Sequence, residues 1–411
     1  MAIVKPFRPY RYTAEAGDPA KLVTQPYDKI NPAMQAKYLA ASPHNLVRII
    51  LGERFPADDN ENNVYTRAAA YLNEWSTCGI LAQDPAPAFY AYSQEFTVPD
   101  TYERATRQGF VGIGRVEEYS EEVVYRHEQT LSGPKKDRLE LLRHAKAHFG
   151  HIFMLYPDRE AAIDAILTEA SQGEPALDVV DDYDVRNRLW PITSPEVTAR
   201  IEALMLPKKL LIADGHHRYE TALAYSKENP DPAARFVMMT FVNMYSPGLR
   251  ILATHRVLRN LPLYDEQQLL KRAFDQWKVA TYTTTRELRE AMQAPDPKHV
   301  RIGMVTTSGD HILSRPRKHG ELDVPVLHNE VLTGLLNVTE DAVRDEAYIT
   351  YVRGIDAAAA EVREKGAQVA FLLEPTPIDE MARIAFEGGV MPQKSTDFFP
   401  KLLSGVTIYR L

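Results

Sequence analysis

Residues 209–225 read KLLIADGHHRYETALAY, and the reading of this stretch decides what kind of fold surrounds it. The apolar run KLLIA is short and suits a buried strand. Asp214 and Gly215 end it, and Gly215 permits a backbone turn that a Cβ would hinder. From His216 onward, Tyr219, Ala222, Leu223 and Ser226 fall in helical register. The segment is therefore a strand, a tight turn and a helix N-terminus. The unpaired N–H groups and partial positive charge of such an end suit a phosphate. His216 and His217 can donate hydrogen bonds there, and Arg218 can grip phosphate with its fork of donors. A plainer alternative stands beside this one, because Asp is a favoured N-cap and Asp214 could simply satisfy those N–H groups itself. Two rings and an arginine at a helix start add little stability, and cations there oppose the helix dipole. An incoming anion would remove that conflict.

Outward from the turn, strand and helix patterns alternate. AFYAYSQEFTV (88–98) and QGFVGIGRVEEY (108–119) are rich in β-branched and aromatic residues and predict a hairpin. PKKDRLELLRHAKAHF (134–149) places Leu139, Leu142, Ala145 and Phe149 at helical spacing behind Pro134. The apolar run 234–245 predicts a buried strand, with LRILATHRVL (249–258) as its neighbour. Past Pro262 the texture changes to two helical segments, a hairpin (HVRIGMVTT and HILSRPRK), a strand and a helix closed by Gly388 and Gly389. A soft boundary there separates a composite region 1–261, carrying the DGHHR turn, from an α+β region 262–411 whose 391–405 loop is expected to return to the site. The fold class expected is α+β, with mixed sheets and antiparallel elements.

The chain has 411 residues, ordinary hydrophobic (45%) and charged (25%) fractions, and a net charge of −8. That balance disfavours a general nucleic-acid coat but not a local basic pocket. Cys78 is the one cysteine, so neither a disulfide framework nor a cysteine-rich zinc site is expected. With no apolar leader and no run near ~18 apolar residues, the expectation is a cytoplasmic protein with no membrane partner.

Other segments share the polar character of the turn. YRHEQTLSGPKKDR (125–138) holds His127, Glu128 and Thr130, followed by Lys135, Lys136, Asp137 and Arg138 at a helix start. Glu128 is a candidate general base or metal carboxylate; a solvated charged loop is the alternative. It is not a zinc-protease motif, since Leu131 stands where the second histidine belongs. Asp28 in QPYDKINP is either a turn or cap residue or a carboxylate aimed at a site. His255 and Arg256 sit in a strand-like run where one of them should face solvent. Lys394, Ser395 and Thr396 in MPQKSTDFFPKLLSG suit phosphate and equally suit any exposed loop. Walker, Rossmann and nucleophile-elbow motifs are absent. No metal ligand set is assigned.

The ordered set PYD, RHEQT with KKDR, ADGHHRYETA, THR and MPQKSTDFFPKL resembles the bacterial and archaeal family known as domain of unknown function 1015, over nearly the whole chain. The DGHHR element also resembles the ParB/sulfiredoxin-like fold, whose free serine kinases carry this form and phosphorylate L-serine to O-phosphoserine. That resemblance implies a ParB/sulfiredoxin-like phosphate-binding core and serine metabolism, including a pyrophosphate-dependent version of the reaction. It makes Gly215, His216, His217 and Arg218 the phosphate holders and Asp214 a catalytic or metal-positioning carboxylate. The kinases' glutamate base has no aligned match here; Glu128 takes its place on chemical grounds, with Asp28 in reserve. Sulfiredoxin activity is disfavoured because the turn has no cysteine.

The expected function is thus a phosphotransferase acting on a small hydroxylated metabolite, free L-serine first, with pyrophosphate or a nucleotide as donor and Mg²⁺ bridging its phosphates. Lys394, Ser395 and Thr396 would join the phosphate site, with His127, Thr130, Lys135, Asp137, Arg138, His255 and Arg256 in support. The alternatives are a phosphohydrolase or pyrophosphatase using the same pocket, and a non-catalytic regulator that senses a phosphorylated ligand. The partners expected are a small substrate and a phosphate donor, not nucleic acid; a homo-oligomer is compatible with the sequence.

Overall fold

The computed structural model describes residues 1–99, 101–128, 133–392 and 394–411. Two compact units emerge: Met1–Val98 with Glu103–Leu249 and Pro400–Leu411, and Pro99–Tyr102 with Arg250–Phe399. Both helices and mixed sheets are present, so the chain is α+β as expected. Among the described residues no helix is long and apolar enough to cross a membrane.

The first unit is built on a nine-stranded sheet among the described residues. Its strands are β1 (Val4–Lys5), β2 (Phe89–Thr97), β3 (Arg104–Arg115), β4 (Val124–Tyr125), β5 (Ile152–Tyr156), β6 (Leu177–Val180), β7 (Arg186–Ile192), β8 (Leu210–Asp214) and β9 (Phe236–Asn243). They run in the order β4-β8-β5-β9-β3-β2-β7-β6, with β1 on β3. The predicted hairpin is β2–β3, antiparallel from Tyr90↔Val111 to Thr97↔Arg104. In it GFVGIG is a packing device: a Cβ on Gly112 would lie 2.7 Å from the Phe89 ring. The run 249–258 is not the neighbour of β9. Both edges of β9 are taken by β5 and β3, and Thr254–Leu258 pairs within the second unit.

The two faces of this sheet differ in chemistry. Phe89, Phe110, Met154, Ile212 and Phe241 form an apolar core. It is closed by Ile163 and Leu167 of α1 (Ala162–Ala170), Ile201 and Met205 of α2 (Pro195–Met205), and Tyr219 and Ala222 of α3 (His216–Glu228). Strand alternation puts polar residues on the opposite face. Asn187, Gln94 and Arg107 stand opposite one another on three adjacent strands, and all three are buried.

The second unit has an all-antiparallel six-stranded sheet. Its strands are β10 (Thr254–Leu258), β11 (Lys278–Tyr282), β12 (His299–Val305), β13 (Asp310–Pro316), β14 (Ile349–Arg353) and β15 (Val369–Leu372), in the order β11-β13-β12-β15-β10-β14. β12 and β13 form the second predicted hairpin. Successive residues of β10 enter different cores, Val257 one and Leu258 the other, so both faces are covered. This corrects the expectation that His255 or Arg256 faces solvent: both are buried.

Candidate anion-binding site

β8 and α3 meet at Gly215, whose φ of 95° is open to glycine and costly for other residues. Asp214 does not cap the helix; the cap position is Gly215 itself. A register shift between Ile212 and Asp214 against β5 bends the end of β8, which is how a bulge re-aims a side chain. The carboxylate is thereby presented to two cations. Lys401 Nζ donates to Oδ1 at 2.8 Å and Arg218 Nη2 to Oδ2 at 2.8 Å. Burial favours the protonated acid, but Lys401 and Arg218, with Lys29 further off, outweigh it and hold the Asp214 pKa well below the carboxylate range.

Arg218 is fixed by more than its salt bridge. Nη1 donates to the His151 carbonyl, and the guanidinium lies between two glycines. A Cβ on Gly215 would meet it at 3.0 Å and one on Gly150 at 3.3 Å. Both terminal nitrogens of the fork are therefore committed to the protein, and Arg218 acts by charge and by orienting Asp214.

The parallel pairing of β4 with β8 carries the RHE segment to the same place. His127 Nδ1 donates to the Ile212 carbonyl at 2.8 Å; because a carbonyl only accepts, the proton sits on Nδ1. Glu128, half-buried, follows His127 directly in the chain. The His127 and His216 rings stand edge to face at 4.9 Å. His216 is buried at 9% exposure, and among the described residues its Nε2 has no hydrogen-bond partner. His217 is half-buried beside it.

Three further cations bear on this place, and the sequence did not single them out. Arg107 is buried on the polar face, stacked over Phe153 at 4.5 Å; burial pulls its pKa down to about 9 against the opposing pull of Tyr92 and Asp214. Lys29 acts on Asp214, whereas its neighbour Asp28 is exposed. Arg126 acts on His216.

The remaining residues of the second cluster are largely absorbed by packing. Lys135 pairs with Glu220 of α3. Asp137 holds Arg54 at 2.6 Å and the Tyr65 hydroxyl at 2.8 Å. Arg138 donates to the Ile50 carbonyl at 2.7 Å and stacks on Tyr27 at 4.2 Å. Tyr27, Arg138 and Arg218 line one small cavity, so PYD, KKDR and DGHHR do converge. Thr130 lies outside the described residues.

In the second unit Arg256 donates to the Lys394 carbonyl at 3.0 Å, joining THR to QKST. His255 Nδ1 accepts the Leu373 N–H at 3.2 Å, and burial lowers its pKa to about 3. The Ser395 hydroxyl donates to the Pro392 carbonyl at 2.7 Å; Thr396 is half-buried in the same loop.

Buried histidines give the first unit a pH signature. Burial pushes His127 down to about 4 and His151 to about 3, and holds His216 well below its ordinary value. Below about pH 6.5 the unfolded chain binds protons at these rings and the folded chain does not. Their contribution is therefore complete above that pH and lost as pH falls toward 4. Melting curves between about pH 7.5 and 4.5 are expected to show a steady fall in Tm; a flat profile would contradict the burial of these rings.

Comparison with known proteins adds the following. The family model described as Protein of unknown function (DUF1015) matches residues 4–339. None of the curated proteins matches. Among solved structures, a free serine kinase in complex with AMP is similar at TM-score 0.36 and 12% identity, covering 67% of this chain and 83% of that one. A conserved hypothetical protein from Pyrococcus furiosus is similar at TM-score 0.35 and 11% identity, covering 69% and 91%. SbnI with a C-terminal truncation, from Staphylococcus aureus, stands at TM-score 0.35 and 10% identity, covering 68% and 82%.

Proposed function

The chain belongs to the DUF1015 family, and we propose that this member is a phosphotransferase that moves a phosphoryl group from pyrophosphate or a nucleotide to the hydroxyl of a small metabolite, free L-serine first among them. The observation that carries the reading is the excess of positive charge around one ionised carboxylate at a helix N-terminus. Lys401, Arg218 and Lys29 all act on Asp214, and the start of α3 adds its N–H groups and dipole. A tri- or tetra-anionic phosphate chain complements that excess.

In this reading the acceptor oxygen attacks phosphorus as the bridging P–O bond breaks, and the leaving phosphate keeps the electron pair. The hydroxyl proton goes to a carboxylate. Asp214 is a poor acceptor because two cations hold its pKa so low; Glu128, next in the chain to the His127 that bonds the Ile212 carbonyl, is the candidate base. His127 and His216 are neutral near pH 7, so they would serve phosphate as hydrogen-bonding groups rather than as charges. Among the described residues no three His, Cys, Asp or Glu side chains group as a metal site. Mg²⁺ would arrive on the donor's phosphates, as part of the substrate.

Purified protein incubated with L-serine, Mg²⁺ and pyrophosphate, ADP or ATP is expected to yield O-phosphoserine by mass spectrometry. Phosphate release that ignores serine would point instead to hydrolysis. No product with any donor would remove the kinase reading.

A further inference from the structure

We propose that Lys401 is a catalytic cation of this site: its ion pair with Asp214 opens when a phosphate donor binds, and its ammonium then follows the transferred phosphoryl group. The inference rests on the phosphotransfer reading above. It concerns a residue of the MPQKSTDFFPKL segment that the sequence did not single out, 187 positions from the carboxylate it touches.

The first ground is how Lys401 is held. Gln94 Nε2 donates to the Lys401 carbonyl at 2.9 Å, and Arg107 Nη2 donates to the Pro400 carbonyl at 2.6 Å. Arg107 also donates to Gln94 Oε1. Gln94 Nε2 reaches Asn187 Oδ1 at 2.9 Å, and the Tyr92 hydroxyl reaches the same oxygen at 2.7 Å. Burying such a row, with a guanidinium in it, carries a desolvation cost that apolar residues of equal size would avoid. What the row secures is the backbone of two residues, Pro400 and Lys401.

The second ground is the contrast between the two cations on Asp214. Arg218 is lodged between Gly150 and Gly215 and anchored to the His151 carbonyl, so it cannot leave the carboxylate without dismantling the turn. Lys401 carries a compact point charge on a flexible four-carbon stem, with its backbone fixed. An arriving anion would turn Lys401 and leave Asp214 still paired with Arg218. During transfer Lys401 keeps its proton: the new bond is between the acceptor oxygen and phosphorus, the broken bond is the bridging P–O, and the hydroxyl proton goes to Glu128. The ammonium only neutralises charge that builds on the moving group.

The test compares wild type, Lys401→Ala and Lys401→Gln in serine phosphorylation and in calorimetric binding of pyrophosphate, with and without methylammonium or ethylammonium chloride. Lys401→Ala is expected to lose about 10²–10³-fold in kcat and to recover part of it with a saturable dependence on the amine. A merely structural lysine would not be rescued in this way, so an inactive variant that no amine restores overturns the proposal. Should Lys401→Ala fail to fold, Lys401→Gln keeps a hydrogen bond to Asp214 and is expected to be folded but equally slow. A folded variant with wild-type turnover and wild-type pyrophosphate affinity overturns the role of Lys401 while the phosphotransfer reading stands. Wild-type protein that neither binds nor consumes pyrophosphate, ADP or ATP overturns both.

Discussion

Asp214→Asn is expected to bind pyrophosphate more tightly than the wild-type chain while losing turnover about 10²–10³-fold. The substitution keeps the size of the side chain and removes its charge. Lys401 and Arg218 then face each other as nearly buried cations, with side-chain exposures of 10% and 15%. Breaking a buried pair by removing one partner is strongly destabilising, on the order of 3 kcal/mol for a site that is still about a fifth open to water. An anion supplies the missing charge, so pyrophosphate should raise the Tm of the variant by more than it raises that of the wild type. Turnover falls because the carboxylate that stays paired with Arg218 and orients it is gone. Calorimetric melting with and without pyrophosphate, beside steady-state kinetics, reads both effects. Weaker pyrophosphate binding together with unchanged stability would show that the cluster is not the electrostatic unit described here.

Glu128→Gln is expected to lower kcat by about 10²–10⁴-fold, the usual contribution of a positioned base, with little change in KM and little change in Tm. Glutamine keeps the shape and a hydrogen-bonding oxygen but cannot take the hydroxyl proton. Asp28 is the comparison, because both carboxylates come from segments that approach the turn while Asp28 is exposed. Asp28→Asn should therefore leave kcat within a few-fold of wild type. A large fall in Asp28→Asn and none in Glu128→Gln would exchange the two roles. A fall in kcat accompanied by an equal loss of stability would mark Glu128 as structural.

The local parts of the site were legible in the sequence. A strand, a glycine and a helix in succession fixed the geometry around Asp214, and the glycine φ of 95° follows from that succession. The β-branched and aromatic runs pointed to the β2–β3 hairpin, and helical spacing to α3. Less accessible was anything carried by pairing between distant segments. Lys401 lies in the 391–405 loop that was expected to return to the site, but a lysine after Phe-Phe-Pro has no signature that sets it apart from Lys394, Ser395 and Thr396. Arg107 interrupts a strand pattern and reads as an outward-facing charge; only the cross-strand row with Gln94 and Asn187 explains its burial. The same limit misplaced 249–258. Two consecutive apolar runs look like neighbours, but β9 already has partners on both edges. His255 and Arg256 were likewise misread because alternation assumes one wet face, and β10 has none. The cap interpretation of Asp214 failed for a related reason. Capping is judged from nearest neighbours, while the partner that takes Oδ1 comes from the far end of the chain.

Phosphorus NMR of the purified chain with Mg²⁺, pyrophosphate and L-serine tests the central claim most directly. The pyrophosphate resonance is expected to broaden on addition of protein and to decline with time, while a phosphomonoester resonance grows in step with inorganic phosphate. With ATP or ADP as the donor the phosphomonoester resonance is expected to grow in step with ADP or AMP instead, and Asp214→Asn should show the broadening without the new resonance. Spectra of all three donors that stay unchanged in the presence of the wild-type chain would contradict the assignment of this turn as a phosphate-handling site.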